Sequence, residues 1–245
     1  MSVVKAAVKG MFYAVGVGPG AEDLVTLRAA RLVETADVVI APRASVSSDS
    51  LALSAVRPLL DRQELIEIVY PMERNQEATR KCWSDAAQLV AERCRAGKSV
   101  VQITIGDPLI FSTSAYLIDA LKDLMPHDRI RVVPGISAFQ ASASQFIEPL
   151  TLQEDRLMLM PATRIDAVET ALDACETLVL YKVGPRLKQL LELLERKGLL
   201  AHASLVCHAE QGPGEMVLSP LTKDAPEAAG YMSVVIIRIG RRAWA

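Results

Sequence analysis

Between Phe12 and Val133 the chain carries short apolar runs that are continuous rather than alternating: Phe12–Val17, Val38–Ile40, Leu65–Val69, Ser99–Ile105 and Ile130–Val133. A strand with one wet face alternates apolar and polar residues, whereas a strand covered on both faces does not need to. Helical spacing fills the gaps between the runs. Thr26 is placed to cap a helix that carries Ala29, Leu32, Val33 and Ala36 on one face. Leu51–Leu60 reads as a helix after the serine-rich loop Ser45–Ser50. Glu77–Arg95 reads as a long helix stopped by Gly97, and Ile118, Leu121 and Met125 mark another. Strand and helix in alternation predict a parallel sheet with both faces covered.

The pattern restarts after Pro134. Arg156–Met160, Thr177–Val183, Ala203–His208, Glu215–Leu218 and Met232–Ile239 read as strands. Ile165–Cys175 and the stretch holding Leu187, Leu190, Leu191 and Leu194 read as helices, the latter stopped by Gly198. The expected architecture is therefore α/β in two lobes, residues 1–134 and 135–245. The first should hold a largely parallel sheet and the second a mixed one.

The formal net charge of -2 argues against a dedicated nucleic-acid binder, which would carry a basic excess. No apolar run approaches the ~18 residues of a membrane span, and MSVVKAAVKGMF is too short and interrupted for a secretory signal core. Cys82, Cys94, Cys175 and Cys207 form no CxxC pair and have no histidine at zinc-ligand spacing, so they read as reduced thiols of a cytoplasmic protein and no metal site is expected. Trp83, Ala87, Val90 and Cys94 form one stripe of the long helix.

In open parallel sheets ligands bind beyond the carboxyl ends of the strands. Three glycine-bearing turns fall at such ends: Gly16–Gly20, Gly106–Pro108 and Pro134–Ser137. Glycine there lets a ligand approach the backbone. Gly16, Gly18 and Ala21 also match a dinucleotide fingerprint. Pro19 interrupts that turn, however, the following helix starts late, and Asp37 precedes the second strand instead of following it. Asp107 reads either as a turn-capping residue or as a carboxylate beside a pocket. No Ser-His-Asp order, HExxH or P-loop occurs, and His127, His202 and His208 are isolated. Such a cleft, with no evident nucleophile or metal, suits ligands that carry their own reactivity.

In order and spacing, GVGPG with LVTLRAARLVETADVV, then TIGDPLIFST, VVPGISAF and TLVLYKVG, the chain resembles the tetrapyrrole methylase family from about Tyr13 to Ile239. Pro42, the SLAL segment Ser50–Leu53, Pro71-Met72 ahead of the helix bearing Trp83, and Ser112-Thr113 after the GDP turn are similar to the branch that methylates precorrin-2 or cobalt-factor II at C20. It departs from the family where Ala21-Glu22 replaces an acidic-Pro pair, where Ser233 replaces a proline, and where Lys182 replaces the methionine of siroheme-forming relatives. The last of these bears on cofactor contacts carried over from that branch. The resemblance implies a tetrapyrrole substrate, S-adenosylmethionine in a cleft between the two lobes, and a homodimer; the charge and the lack of a long apolar run leave neither nucleic acid nor membrane as an expected partner. The resemblance places Pro19, Gly106, Asp107, Pro108, Ile110, Ser137, Ala138, Lys182 and Ala209 against the cofactor. The substrate's carboxylates need cations, for which Arg43, Arg74, Arg164 and Arg186, all in loops or just after strands, are the candidates. The alternatives are another methylase of the family and a non-catalytic binding module.

Overall fold

The computed structural model describes residues 5–43, 45, 49–70, 76–226, 230 and 232–240. The chain divides into two compact units, Met1–Ser137 and Ala138–Ala245.

In the first unit the elements run β1 (Phe12–Gly16), α1 (Leu27–Thr35), β2 (Val38–Arg43), α2 (Leu51–Ser54), β3 (Glu64–Val69), α3 (Gln76–Arg95), β4 (Val100–Thr104), α4 (Ser114–Leu121) and β5 (Ile130–Val133). The sheet order is β3-β2-β4-β1-β5, and every neighbouring pair is parallel. The central strands β1 and β4 are buried along their whole length, as their continuous apolar runs require. On one face Val15, Val39 and Ile103 pack against Ala29, Leu32 and Val33 of α1. On the other, Phe12, Ala14, Ile40 and Val100 pack against Trp83, Ala87, Val90 and Cys94 of α3 and Leu117 and Leu121 of α4. The Thr26 hydroxyl accepts from Ala29 N at 3.2 Å and starts α1 as its sequence predicts. The helix expected over Leu51–Leu60 is shorter. It stops at Ser54, and a separate 3-10 turn follows at Arg57–Leu59. Pro58 has no N–H to continue the α-helix and disfavours helical backbone in the residue before it.

The connections of this sheet diverge at its centre. The chain leaves β1 toward β2 on the α1 face and leaves β4 toward β5 on the α4 face. β1 and β4 are neighbours, so their carboxyl ends flank the switch point where open α/β sheets form a crevice.

At the opposite edge, Asp37 joins the starts of β2 and β4. Its Oδ2 accepts from Ser99 N and Ser99 Oγ, both at 2.7 Å, and Lys9 pairs with its Oδ1. Burial pushes the carboxyl up, but the bonds from Lys9 and Ser99 outweigh it and hold the group at about 2. A depressed carboxylate stabilises the fold above its unfolded value of 3.8 and loses that contribution as pH falls toward 2. Discounted for solvent screening, the contribution is about 1 kcal/mol. Asp37→Asn should therefore be less stable than wild type at neutral pH in denaturant titrations, by a gap that closes between pH 4 and pH 2. A gap unchanged over that range would contradict this.

The second unit runs α5 (Ala138–Ser144), β6 (Leu157–Pro161), α6 (Ile165–Leu172), β7 (Thr177–Tyr181), α7 (Leu187–Arg196), β8 (Ala203–Cys207), β9 (Met216–Leu218) and β10 (Ser233–Arg238). Its order is β6-β7-β10-β8-β9. β6 and β7 are parallel, and the remaining pairs are antiparallel, which gives the mixed sheet expected. α6 and α7 cover one face through Val168, Leu190 and Leu194. α5, which has no counterpart among the elements expected from the sequence, covers the other: Ala143 packs on Val179, Val234 and Ile236, and Ala141 on Val206 and Ala209. No helix among the described residues is long and apolar enough to cross a membrane.

Candidate functional site

All three glycine turns of the first unit meet at the switch point. Val17 N donates to Thr104 O at 2.9 Å and Gly106 N to Gly18 O at 2.7 Å, so the first two turns are stitched together as β1 and β4 end. The third closes on them with no room for a side chain. A Cβ on Gly135 would lie 2.2 Å from Gly106 O, and one on Gly16 would lie 2.4 Å from the same oxygen. Gly18 has φ +79°, and a Cβ there would meet Leu24 O at 2.7 Å. The result is a junction made of backbone; in the same turns Pro19, Pro108 and Ser137 are buried and Ile110 is half-buried, as is Ala138, the first residue of the second unit.

Asp107 spans two of these turns. Its Oδ1 accepts from Leu109 N at 2.8 Å, the bond of an Asx turn, and its Oδ2 accepts from Gly135 N at 3.2 Å. The carboxylate therefore caps its own turn and also holds the third turn against it. Beyond it, the Ser112 hydroxyl lies 3.1 Å from Thr104 Oγ1 and accepts from Ser114 N at 3.1 Å, which fixes the loop into α4. Phe111 in that loop has φ +49° and is 42% exposed.

In the second unit β6, β7 and β8 point the same way, because β10 is antiparallel to both β7 and β8. Arg164, Lys182, Arg186, His208 and Ala209 consequently follow strand ends at one edge of the sheet. Lys182 (φ +56°), His208 (φ +52°) and Glu210 (φ +59°) are left-handed without being glycine. Backbone strain of this kind gathers at functional positions. Ala209 is buried between the two left-handed residues of its turn.

The candidate arginines have partners of their own. Arg43, at the end of β2, lies 3.6 Å from Glu67. Arg164 pairs with Asp166, and Arg186 donates to Gln189 Oε1 at 3.1 Å. Arg74 and the Pro71-Met72 pair lie outside the described residues. The four cysteines are free thiols, three of them buried and Cys82 half-buried.

Across residues 11–210 the chain matches the family model of the tetrapyrrole (corrin/porphyrin) methylases. The chain belongs to that family. Among curated relatives, this methylase is 34% identical over 233 residues to the cobalt-precorrin-2 C(20)-methyltransferase of Salmonella typhimurium, covering 93% of this chain and 96% of that one. Its fold is that of a solved cobalt precorrin-4 methyltransferase, with a TM-score of 0.71 at 21% identity over 93% of this chain and 94% of that one. It is also that of uroporphyrin-III C-methyltransferase from Thermus thermophilus, solved in complex with S-adenosylhomocysteine. That match has a TM-score of 0.64 at 22% identity over 93% of this chain and 96% of that one.

Proposed function

We propose that this methylase transfers a methyl group from S-adenosylmethionine to C20 of precorrin-2, a step of corrin synthesis toward cobalamin. The observation that carries the reading is the backbone junction of Gly16, Gly106 and Gly135 at the switch point of the first sheet. Its peptide groups can hydrogen-bond the hydroxyls and amino-acid end of the donor. No Lys, Arg or His occurs in Gly16–Gly20, Gly106–Ile110 or Gly135–Ala138, so a sulfonium cation meets no like charge there. The choice of carbon and substrate is supported by the Salmonella relative's name and by its match over nearly the whole chain.

The donor supplies a methyl group that is already electrophilic. The work left to the chain is positioning, which can contribute up to ~7–11 kcal/mol. The family resemblance supports Pro19, Gly106, Asp107, Pro108, Ile110, Ser137, Ala138, Lys182 and Ala209 as the residues that hold the donor. Arg43, Arg74, Arg164 and Arg186 bind the substrate's peripheral carboxylates by charge-assisted hydrogen bonds. The four free thiols support a reducing, cytoplasmic setting, and the family resemblance supports a homodimer. The test is turnover: protein, methyl-labelled donor and precorrin-2, metal-free and cobalt-loaded, should release S-adenosylhomocysteine over many cycles. A stoichiometric complex without it would instead identify a binding module.

A further inference from the structure

Methyl transfer to C20 leaves that carbon with both the new methyl group and its original hydrogen. As the S–CH3 bond breaks and the CH3–C20 bond forms, the donor leaves as S-adenosylhomocysteine. C20 must then release its hydrogen as a proton, and the C–H electron pair returns to the macrocycle. Something has to take that proton. We propose that His208 takes it on Nε2, an inference that rests on the function proposed above.

Three observations point to this residue. First, His208 stands immediately beyond β8, next to Ala209, on the sheet edge that also carries Lys182. Its left-handed backbone (φ +52°) is held by a bond from its own N to Met232 O at 2.8 Å. The chain turns back at once, with Gln211 N donating to His208 O at 3.0 Å. Second, that turn brings Gln211 Oε1 to 3.1 Å from His208 Nδ1. An amide oxygen only accepts, so the bond keeps the ring proton on Nδ1 and leaves the lone pair on Nε2. An orienting acceptor on one nitrogen that frees the other as a base is the arrangement general-base histidines use. Third, the two carboxylates nearest to it along the chain are each tied within this unit: Glu210 accepts from Gln145 Nε2 at 3.3 Å and Glu215 from Glu210 N at 3.1 Å. His208 is half-buried.

His208→Gln should lower kcat by about 10²–10⁴-fold while leaving S-adenosylhomocysteine affinity in calorimetry unchanged. Substrate deuterated at C20 should then show a primary isotope effect that the wild type lacks, because proton loss becomes the slow step. Free imidazole should restore part of the rate of His208→Ala. Ring ¹⁵N NMR of the unliganded wild type gives a readout independent of turnover and of how the variants fold. It should show protonated Nδ1 and bare Nε2, with the preference lost in Gln211→Leu. An Nε2-protonated ring, or a His208→Gln enzyme with normal kcat and no isotope effect, overturns the proposal. Wild-type protein that releases no S-adenosylhomocysteine with precorrin-2 defeats the proposed function instead.

Discussion

Gly135→Ala is expected to lower stability by about 2–3 kcal/mol, the upper part of the range for forcing a methyl group into filled space. It should also weaken S-adenosylhomocysteine binding by more than about tenfold, or ~1.4 kcal/mol. The added Cβ would lie 2.2 Å from Gly106 O, 2.7 Å from Gly16 C and 2.9 Å from Gly16 Cα. All three are backbone atoms, so no side chain can swing aside. One of the turns has to move, and each is tied to the next through Gly106 N–Gly18 O and Gly135 N–Asp107 Oδ2. Gly230→Ala is the control: among the described residues, a Cβ there meets nothing within 4 Å. Thermal melts with and without the ligand compare the two. A Gly135→Ala protein that melts and binds like wild type would show that the three turns do not press on one another.

Asp107→Ala should damage methyl transfer far more than folding. Removing the carboxylate leaves Leu109 N and Gly135 N without their acceptor. By analogy with lost helix caps this amounts to about 0.5–2 kcal/mol for the capping bond, which a domain stable by ~5–15 kcal/mol survives. The turns it joins, however, are those proposed to hold the donor, and a displacement of ~1 Å there can reduce the rate ~100-fold. Asp107→Asn separates the two bonds. Its amide oxygen can still accept from Leu109 N, while its NH2 cannot accept from Gly135 N, so this variant should keep its own turn and lose the tie to the third. Melting temperature, S-adenosylhomocysteine affinity and turnover at saturating donor would be measured for both. Normal turnover in well-folded variants would reduce Asp107 to a turn residue.

Most of the first unit could be read from its residues because burial on both faces leaves a local mark. The runs Phe12–Val17 and Ser99–Ile105 became fully buried neighbours, and the stripe from Trp83 to Cys94 became the inner face of α3. Thr26 and Gly97 marked helix ends through chemistry contained within a few residues of them. What the sequence concealed was non-local. Gly16, Gly106 and Gly135 are far apart along the chain, and nothing near any one of them says that their backbones touch. The same holds for the second acceptor role of Asp107. α5 escaped because Ala138–Ser144 is built from small residues, one Phe and one Gln, so its apolar face is faint. Pro58, by contrast, was a readable signal against a helix running through Leu60. His208 is isolated in the sequence because its partner, Gln211, joins it only once the left-handed turn after β8 has formed.

The most direct test of a C20-methylating enzyme is where the label goes. Precorrin-2, metal-free and cobalt-loaded, would be incubated with donor carrying a ¹³C methyl group, and the product's carbon spectrum recorded. One new enriched methyl resonance, coupled to C20 and formed in step with S-adenosylhomocysteine, is the expected result. Label on any other ring carbon, or transfer to uroporphyrinogen III in preference to precorrin-2, would contradict it.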